Sequence, residues 1–348
     1  MITLQKIAKI ANVSVGTVDR VIHNRGRVSK DTEEKIKRII KELDYKPNIL
    51  AQSLSLSKTR EYNFGVLLPN PIQDGKYWEL PIKGINKAKK ELNIYRVKTV
   101  YFFYDKYSEN SFKNAFTKVF QSEIKLDGLI ITPVLSQAAQ DLIKKIPPNL
   151  PYVFLDSYIP QSNCLTYIGE ESYQSGKLAA TLMDILINSR GTIVAIKVRP
   201  RDNHLEDRVK GFQDYFKDKP NVVFKSYEAN RKKDKRAFFN ISKKIIETNK
   251  HLNGIFVPNS TTYQIAESIK SFAPNRGIHL IGYDLVYENQ LYLKEGWIDF
   301  LINQRSELQG YKCIYSLYNK VALKEKVQPK IMMPLDILTK ENVDFYHV

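Results

Sequence analysis

The chain has little cysteine and no long apolar run. Its 348 residues include only Cys164 and Cys313, far apart and without a histidine nearby, which argues against a disulfide framework and a zinc motif. Both are expected to be ordinary buried thiols. No apolar stretch approaches the roughly 20 residues that cross a bilayer, so no membrane partner is expected. The opening residues, MITLQKIAKIANVS, lack a continuous apolar h-region and a small-residue cleavage site, and the chain is read as cytoplasmic.

Catalytic signatures are missing as well. No strand opens onto a G-x-G-x-x-G turn, no G-x-S-x-G elbow occurs, and the run from Gly169 to Gly176-Lys177-Leu178 has the wrong spacing and final residue for a P-loop. The five histidines, at 23, 204, 251, 279 and 347, are too scattered for a local metal motif. No enzyme activity, cofactor or metal is expected.

What is present fits a soluble chain of two or three folded units. Hydrophobic residues make up 43% and aromatics 11%, which is ordinary for a globular protein. The net charge of +17 is unevenly placed: residues 1–60 hold 13 Lys or Arg against 6 Asp or Glu, a surplus of seven. A basic segment of that kind suits a polyphosphate partner, because each neutralised phosphate releases condensed counterions. Charge alone would fit a solvated basic surface equally well.

The pattern beneath the charge decides between them. Three short helices are predicted, Leu4 to Ala11, Val15 to His23 and Lys30 to Leu43, preceded by Thr3, Ser14 and Ser29, whose hydroxyls can accept from orphan amides of a first turn. Ile7, Ala8 and Ala11, then Val18, Val21 and Ile22, then Ile36, Ile39, Ile40 and Leu43 recur at helical spacing and would bury one small core. Asn12-Val13-Ser14 joins the first two as a tight turn, with Asn tolerating a left-handed backbone. Helix, short turn, helix is the geometry of a DNA-binding helix-turn-helix.

Beyond Asn63 the texture changes to apolar runs alternating with amphipathic stretches: FGVLLP, VYFFY, GLIITP, YVFLD, TYIG, TIVAIKV, VVFKSY, GIFVP, HLIGYD and FLINQ. This rhythm predicts an α/β unit of parallel sheets covered by helices. Ten strands exceed one usual sheet, so two doubly wound, Rossmann-like subdomains are expected after the small all-α domain.

The stretch TLQKIAKIANVSVGTVDRVIHNRGRVSKDTEEKIKRIIKELDYKPNILAQSLS resembles the DNA-binding headpiece and hinge of the LacI/GalR family along its whole length, and the remainder resembles that family's periplasmic-binding-protein-like sensor. The resemblance implies a headpiece at 1–46, a hinge at 47–61, and a ligand-sensing and dimerisation domain at 62–348. The sensor would divide into one subdomain at about 62–160 plus 305–328 and another at about 161–304 plus 329–348. By the same resemblance the second helix lies in the major groove, with Val15, Gly16 and Arg20 as base readers and Thr17, Asn24 and Ser29 on phosphates. Thr3, Ser14 and Asn48 complete that surface. Arg20 could instead form a salt bridge within the headpiece. Asp19 stands where relatives carry a small hydroxyl residue, and a carboxylate there is repelled by phosphate. Leu54 would wedge into the minor groove at the operator centre, with Ala51 letting two hinge helices approach.

In the sensor, the resemblance places ligand groups at the carboxyl ends of strands: Asp156, Arg208, Asn259, Asp284 and Gln304, with Trp78 available to stack on a sugar ring. Ser260 stands where relatives have an acceptor. Lys197, Arg199 and Arg201 follow one strand, a pattern that suits an acidic sugar such as a uronate or sugar phosphate, and equally a solvated surface. The expected protein is a LacI-type regulator, in the main a repressor. It would bind a palindromic double-stranded operator as a homodimer and respond to a small sugar-like effector. The competing expectation is a sugar-binding protein without a role on DNA.

Overall fold

A computed structural model describes residues 4–22, 26, 28–43, 60–231 and 236–346. The chain forms two compact units, Met1–Thr59 and Arg60–Val348. In the first, α1 (Leu4–Ala11), α2 (Val15–Ile22) and α3 (Lys30–Glu42) enclose a core of Ile7, Ala8, Ala11, Val18, Val21, Ile36 and Ile39. These are the residues whose spacing put them on one face of each helix. Asn12 adopts a left-handed backbone, with φ 54°, and ends α1. Ser14 Oγ accepts from the Thr17 amide at 3.1 Å and Ser29 Oγ from the Thr32 amide at 3.4 Å, so each hydroxyl caps the helix that follows it.

The expected hinge, 47–61, lies outside the described residues except for Arg60 and Glu61, which lead into the first strand. Arg60 is fixed there by an ion pair with Asp127 at 2.7 Å.

The second unit holds two six-stranded sheets. The first sheet runs β11 (Lys330–Met332), β5 (Thr166–Gly169), β4 (Tyr152–Leu155), β3 (Gly128–Ile131), β1 (Tyr62–Pro69), β2 (Val97–Tyr104). The other runs β12 (Asp336–Leu338), β10 (Phe300–Asn303), β9 (His279–Tyr283), β8 (Leu252–Phe256), β6 (Gly191–Arg199), β7 (Val222–Asn230). All pairings are parallel except that of β12 with β10. Helices α4 (Glu79–Glu91), α5 (Glu109–Gln121), α6 (Ser136–Ile143) and α12 (Ser306–Val321) accompany the first sheet. Those accompanying the second are α7 (Ser172–Ile187), α8 (Asn203–Tyr215), α9 (Ala237–Thr248), α10 (Thr262–Phe272) and α11 (Tyr287–Lys294). Central strands such as β3, β4 and β5 are buried along their whole length, as expected of parallel strands covered on both faces.

All ten apolar runs form strands. Two further strands, Lys-Ile-Met and Asp-Ile-Leu, are three residues long and too short to show a period. They move the subdomain boundaries. β5 and β11 belong to the first sheet, so the chain crosses near residues 170 and 333, not 160 and 328. The reason is pairing: β5 hydrogen-bonds to β4 on one side and receives β11 on the other. Within the described residues no helix is long and apolar enough to cross a membrane.

Candidate DNA interface and ligand cleft

On the first unit, α2 presents Val15 (41% exposed), Gly16 and Arg20 to solvent, while Val18 and Val21 face the core. A Cβ on Gly16 would meet nothing closer than Ser14 Oγ at 3.7 Å. The headpiece itself therefore does not require a glycine there. Ser14 and Thr17 hydroxyls bond each other at 2.9 Å, and Ser29 bonds Thr32 at 2.8 Å. Asp19 is half-buried beside Arg20. Thr3, Asn24, Asn48, Ala51 and Leu54 lie outside the described residues.

In the second unit, the polar residues cluster where the strands of both sheets end. From the first sheet come Asp74 after β1, Lys106 after β2, Asp156 after β4 and Glu170 after β5. From the second come Asp202 and His204 after β6, Asn259 after β8, Asp284 after β9 and Gln304 after β10. All of these are buried. That is the general address of ligands in open parallel sheets.

Arg208 is the largest charged group inside. Helices α7 and α8 touch at backbone level: a Cβ on Gly176 would lie 2.0 Å from the Arg208 carbonyl oxygen, and one on Gly211 would lie 2.0 Å from that of Tyr173. This seam sets Arg208, 1% exposed, against Glu170 at 2.5 Å, the Pro258 carbonyl at 2.6 Å and the Tyr283 ring, whose centroid is 3.8 Å away. Its Nη2 is buried without a protein partner. Burial opposes the charge, but Glu170 overcomes it and the guanidinium pKa rises.

Asn259 Oδ1 accepts from Thr261 Oγ1 at 2.7 Å, which leaves its buried Nδ2 unpartnered. Gln304 Nε2 donates to Asp284 Oδ1 and to the Tyr77 hydroxyl, each at 3.0 Å. Tyr77 in turn donates to Asp156 Oδ1 at 2.5 Å. Burial lifts the Asp284 carboxyl to about 7, against the pull of the nearby Arg208. Asp202 holds His204 Nδ1 at 2.7 Å and accepts from Ser157 at 2.8 Å, while its Oδ2 is buried and unpartnered. Burial disfavours the imidazolium, yet Asp202 and Asp156 outweigh it and raise the His204 pKa.

Several features differ from expectation. Trp78 is enclosed in the first subdomain's core, edge-on to Tyr77 with Lys106 Nζ over its ring. Tyr77, in the same cluster, sends its hydroxyl into the polar network, whereas Trp78 Nε1 is buried without a protein partner. Ser260 donates to the Asp74 carbonyl at 3.0 Å, tying the second subdomain to the first. Arg199 is occupied by Glu206 and Glu228, so the basic triplet at 197–201 is in part neutralised. Cys164 is half-buried, while Cys313 is fully buried. Sequence reasoning passed over Asp74, Tyr77, Lys106, Glu170, Asp202 and His204. The signal for most of them was their place just after an apolar run.

The family model of bacterial regulatory proteins of the lacI family matches residues 3–48, and that of the periplasmic binding protein domain matches 64–326. The chain belongs to the LacI family. A LacI-family regulator binds DNA to control transcription, and this one is 26% identical over 349 residues to the ribose operon repressor of Lactococcus lactis, covering 99% of this chain and 98% of that one. Among solved structures it is similar to a putative LacI transcriptional regulator from Bacteroides fragilis, with 29% identity and TM-score 0.73 over 83% of this chain and 100% of the other. A solute-binding protein from Burkholderia graminis in complex with D-arabinose shares the sensor fold, with 17% identity and TM-score 0.74 over 82% of this chain and 98% of the other.

Proposed function

We propose that this LacI-family regulator acts as a repressor, binding a palindromic operator as a homodimer and releasing or tightening its hold when a sugar-like ligand occupies the cleft between the sensor subdomains. The observation that carries the reading is the buried ring of strand-end polar groups, with Arg208 Nη2, Asn259 Nδ2 and Asp202 Oδ2 left without protein partners. Buried polar atoms are seldom left unpaired in folded proteins, so these two donors and one acceptor at the strand ends support a polar ligand. Adjacent hydroxyls of a sugar supply both. The acidic class of sugar receives no support from Arg199, whose charge is answered by Glu206 and Glu228.

Arg208, Asn259, Asp284, Gln304 and Asp156 would contact the ligand, with Tyr77 in place of Trp78. Ligand binding favours one spacing of the subdomains, and the operator favours one as well, so each changes the other's affinity by linkage. On the DNA side, Arg20 reads bases, Gly16 admits the groove wall, and Leu54 opens the central step. Selecting bound duplexes from a random pool should return a two-fold symmetric site. Leu54→Ala should lose most of the affinity for it in mobility-shift titration while sugar binding persists. An asymmetric site would remove the dimer, and unchanged affinity would remove the Leu54 wedge.

A further inference from the structure

The charges in the cleft do not cancel among themselves. Three of its carboxylates each have a cation of their own: Asp74 has Lys106 at 3.0 Å, Glu170 has Arg208 at 2.5 Å, and Asp202 has His204 at 2.7 Å. Arg231 lies over the Tyr107 ring and lends its charge to Asp74. Asp156 and Asp284 have no cation of their own and share two of these, Asp156 the His204 imidazole and Asp284 the pull of Arg208. Asp156 is met by the Tyr77 hydroxyl and stands 3.7 Å from His204 Nε2, on the imidazole whose Nδ1 is held by Asp202. The Asp284 carboxylate accepts from Gln304.

These two acids come from opposite subdomains, each at the end of a parallel strand, and the Tyr77 and Gln304 side chains join them through successive hydrogen bonds of 2.5 to 3.0 Å. Both are buried, at 2% and 3% exposure. A buried carboxylate whose counter-charge is shared with another acid is incompletely neutralised, and a cation supplied by the ligand would make up the difference. A neutral sugar gives hydroxyl hydrogen bonds but no charge. A uronate or sugar phosphate adds repulsion.

We propose that the cleft is built for an amino sugar whose ammonium group sits against Asp156 and Asp284 while its hydroxyls meet Arg208, Asn259 and Asp202. This rests on the reading of the cleft as a sugar site and narrows it to one charge class. Both acids have left-handed backbones, φ 67° and 70°, a conformation that asparagine also adopts, so Asp→Asn removes the charge without forcing the chain to move.

The test is titration calorimetry on the full-length protein with pentoses and hexoses, their amino-deoxy forms, and the matching uronates. At least one amino sugar should bind about tenfold or more tighter than its parent, the size expected of a charge-assisted contact in a dry site. The uronate should bind more weakly than either. Asp284→Asn and, separately, Asp156→Asn should weaken the amino sugar about tenfold more than its parent, shrinking the ratio of the two affinities by that factor. Thermal melting of each variant confirms folding. Parent sugars that bind as well as their amino forms, or uronates that bind better, overturn the amino-sugar inference and leave the sugar site standing. Failure of every sugar in the set to bind removes the sugar site and the inference together.

Discussion

In the headpiece, Arg20 and Gly16 stand in solvent on a helix whose other face fills a core of seven buried side chains. In the sensor, Arg208, Asp156 and Asp284 lie inside the fold, and several of their neighbours' polar atoms have no protein partner. Both regions therefore keep unanswered polar groups, one on its outside and one within. A long duplex can only be met from outside, whereas a small molecule can be surrounded, and enclosure in a low-dielectric interior strengthens each contact made. The two regions also carry different penalties for error, since an exposed side chain can be removed at little cost to folding.

That contrast can be broken by substitution. Arg208→Ala leaves Glu170 buried and unpaired, and removing one partner of such a pair costs about 3–5 kcal/mol. The sensor's melting transition should fall by many degrees, and a shift of only a degree or two would show that water reaches Glu170 freely. Ile36→Ala should cost the headpiece about 2–5 kcal/mol. A core of this size has little to spare, so operator binding should vanish in mobility-shift assays while sugar binding by calorimetry is retained. Arg20→Ala should leave melting unchanged to within about 0.5 kcal/mol and lower discrimination against a mismatched base by about 1–3 kcal/mol. A drop in stability on removing Arg20 would assign it to an internal ion pair instead of the groove.

How much was legible in the sequence follows the same division. The headpiece chemistry is local: caps, turn and core positions sit within a few residues of one another, so Ser14, Asn12 and the Ile7 to Ile39 core could be read from spacing. The strands were legible because parallel strands are apolar throughout. The cleft was half legible. Asp156, Arg208, Asn259, Asp284 and Gln304 were placed through family resemblance, but their partners were not, because Tyr77 meets Gln304 across 227 positions and Ser260 meets Asp74 across 186. Trp78 is conspicuous in the sequence by its ring size, whereas the reach of the neighbouring Tyr77 hydroxyl to Asp156 exists only in the fold. Charge was misleading for the same reason. The basic triplet at 197–201 stands out in one dimension, whereas Glu206 and Glu228, which answer Arg199, join it only in the fold.

The seam between α7 and α8 has a mechanical consequence. Two helices in backbone contact through Gly176 and Gly211 have no side-chain layer on which to roll or slide. Close approach of the same kind joins α4 to α12 through Gly84 and Gly310. Each subdomain is thereby stiffened, and widening of the cleft falls to the three places where the chain passes between them: 170–171, 304–305 and 333–335. Two of those bending points are occupied by Glu170 and Gln304. A molecule held against Glu170 and Gln304 would bear directly on two of the three crossings between the subdomains.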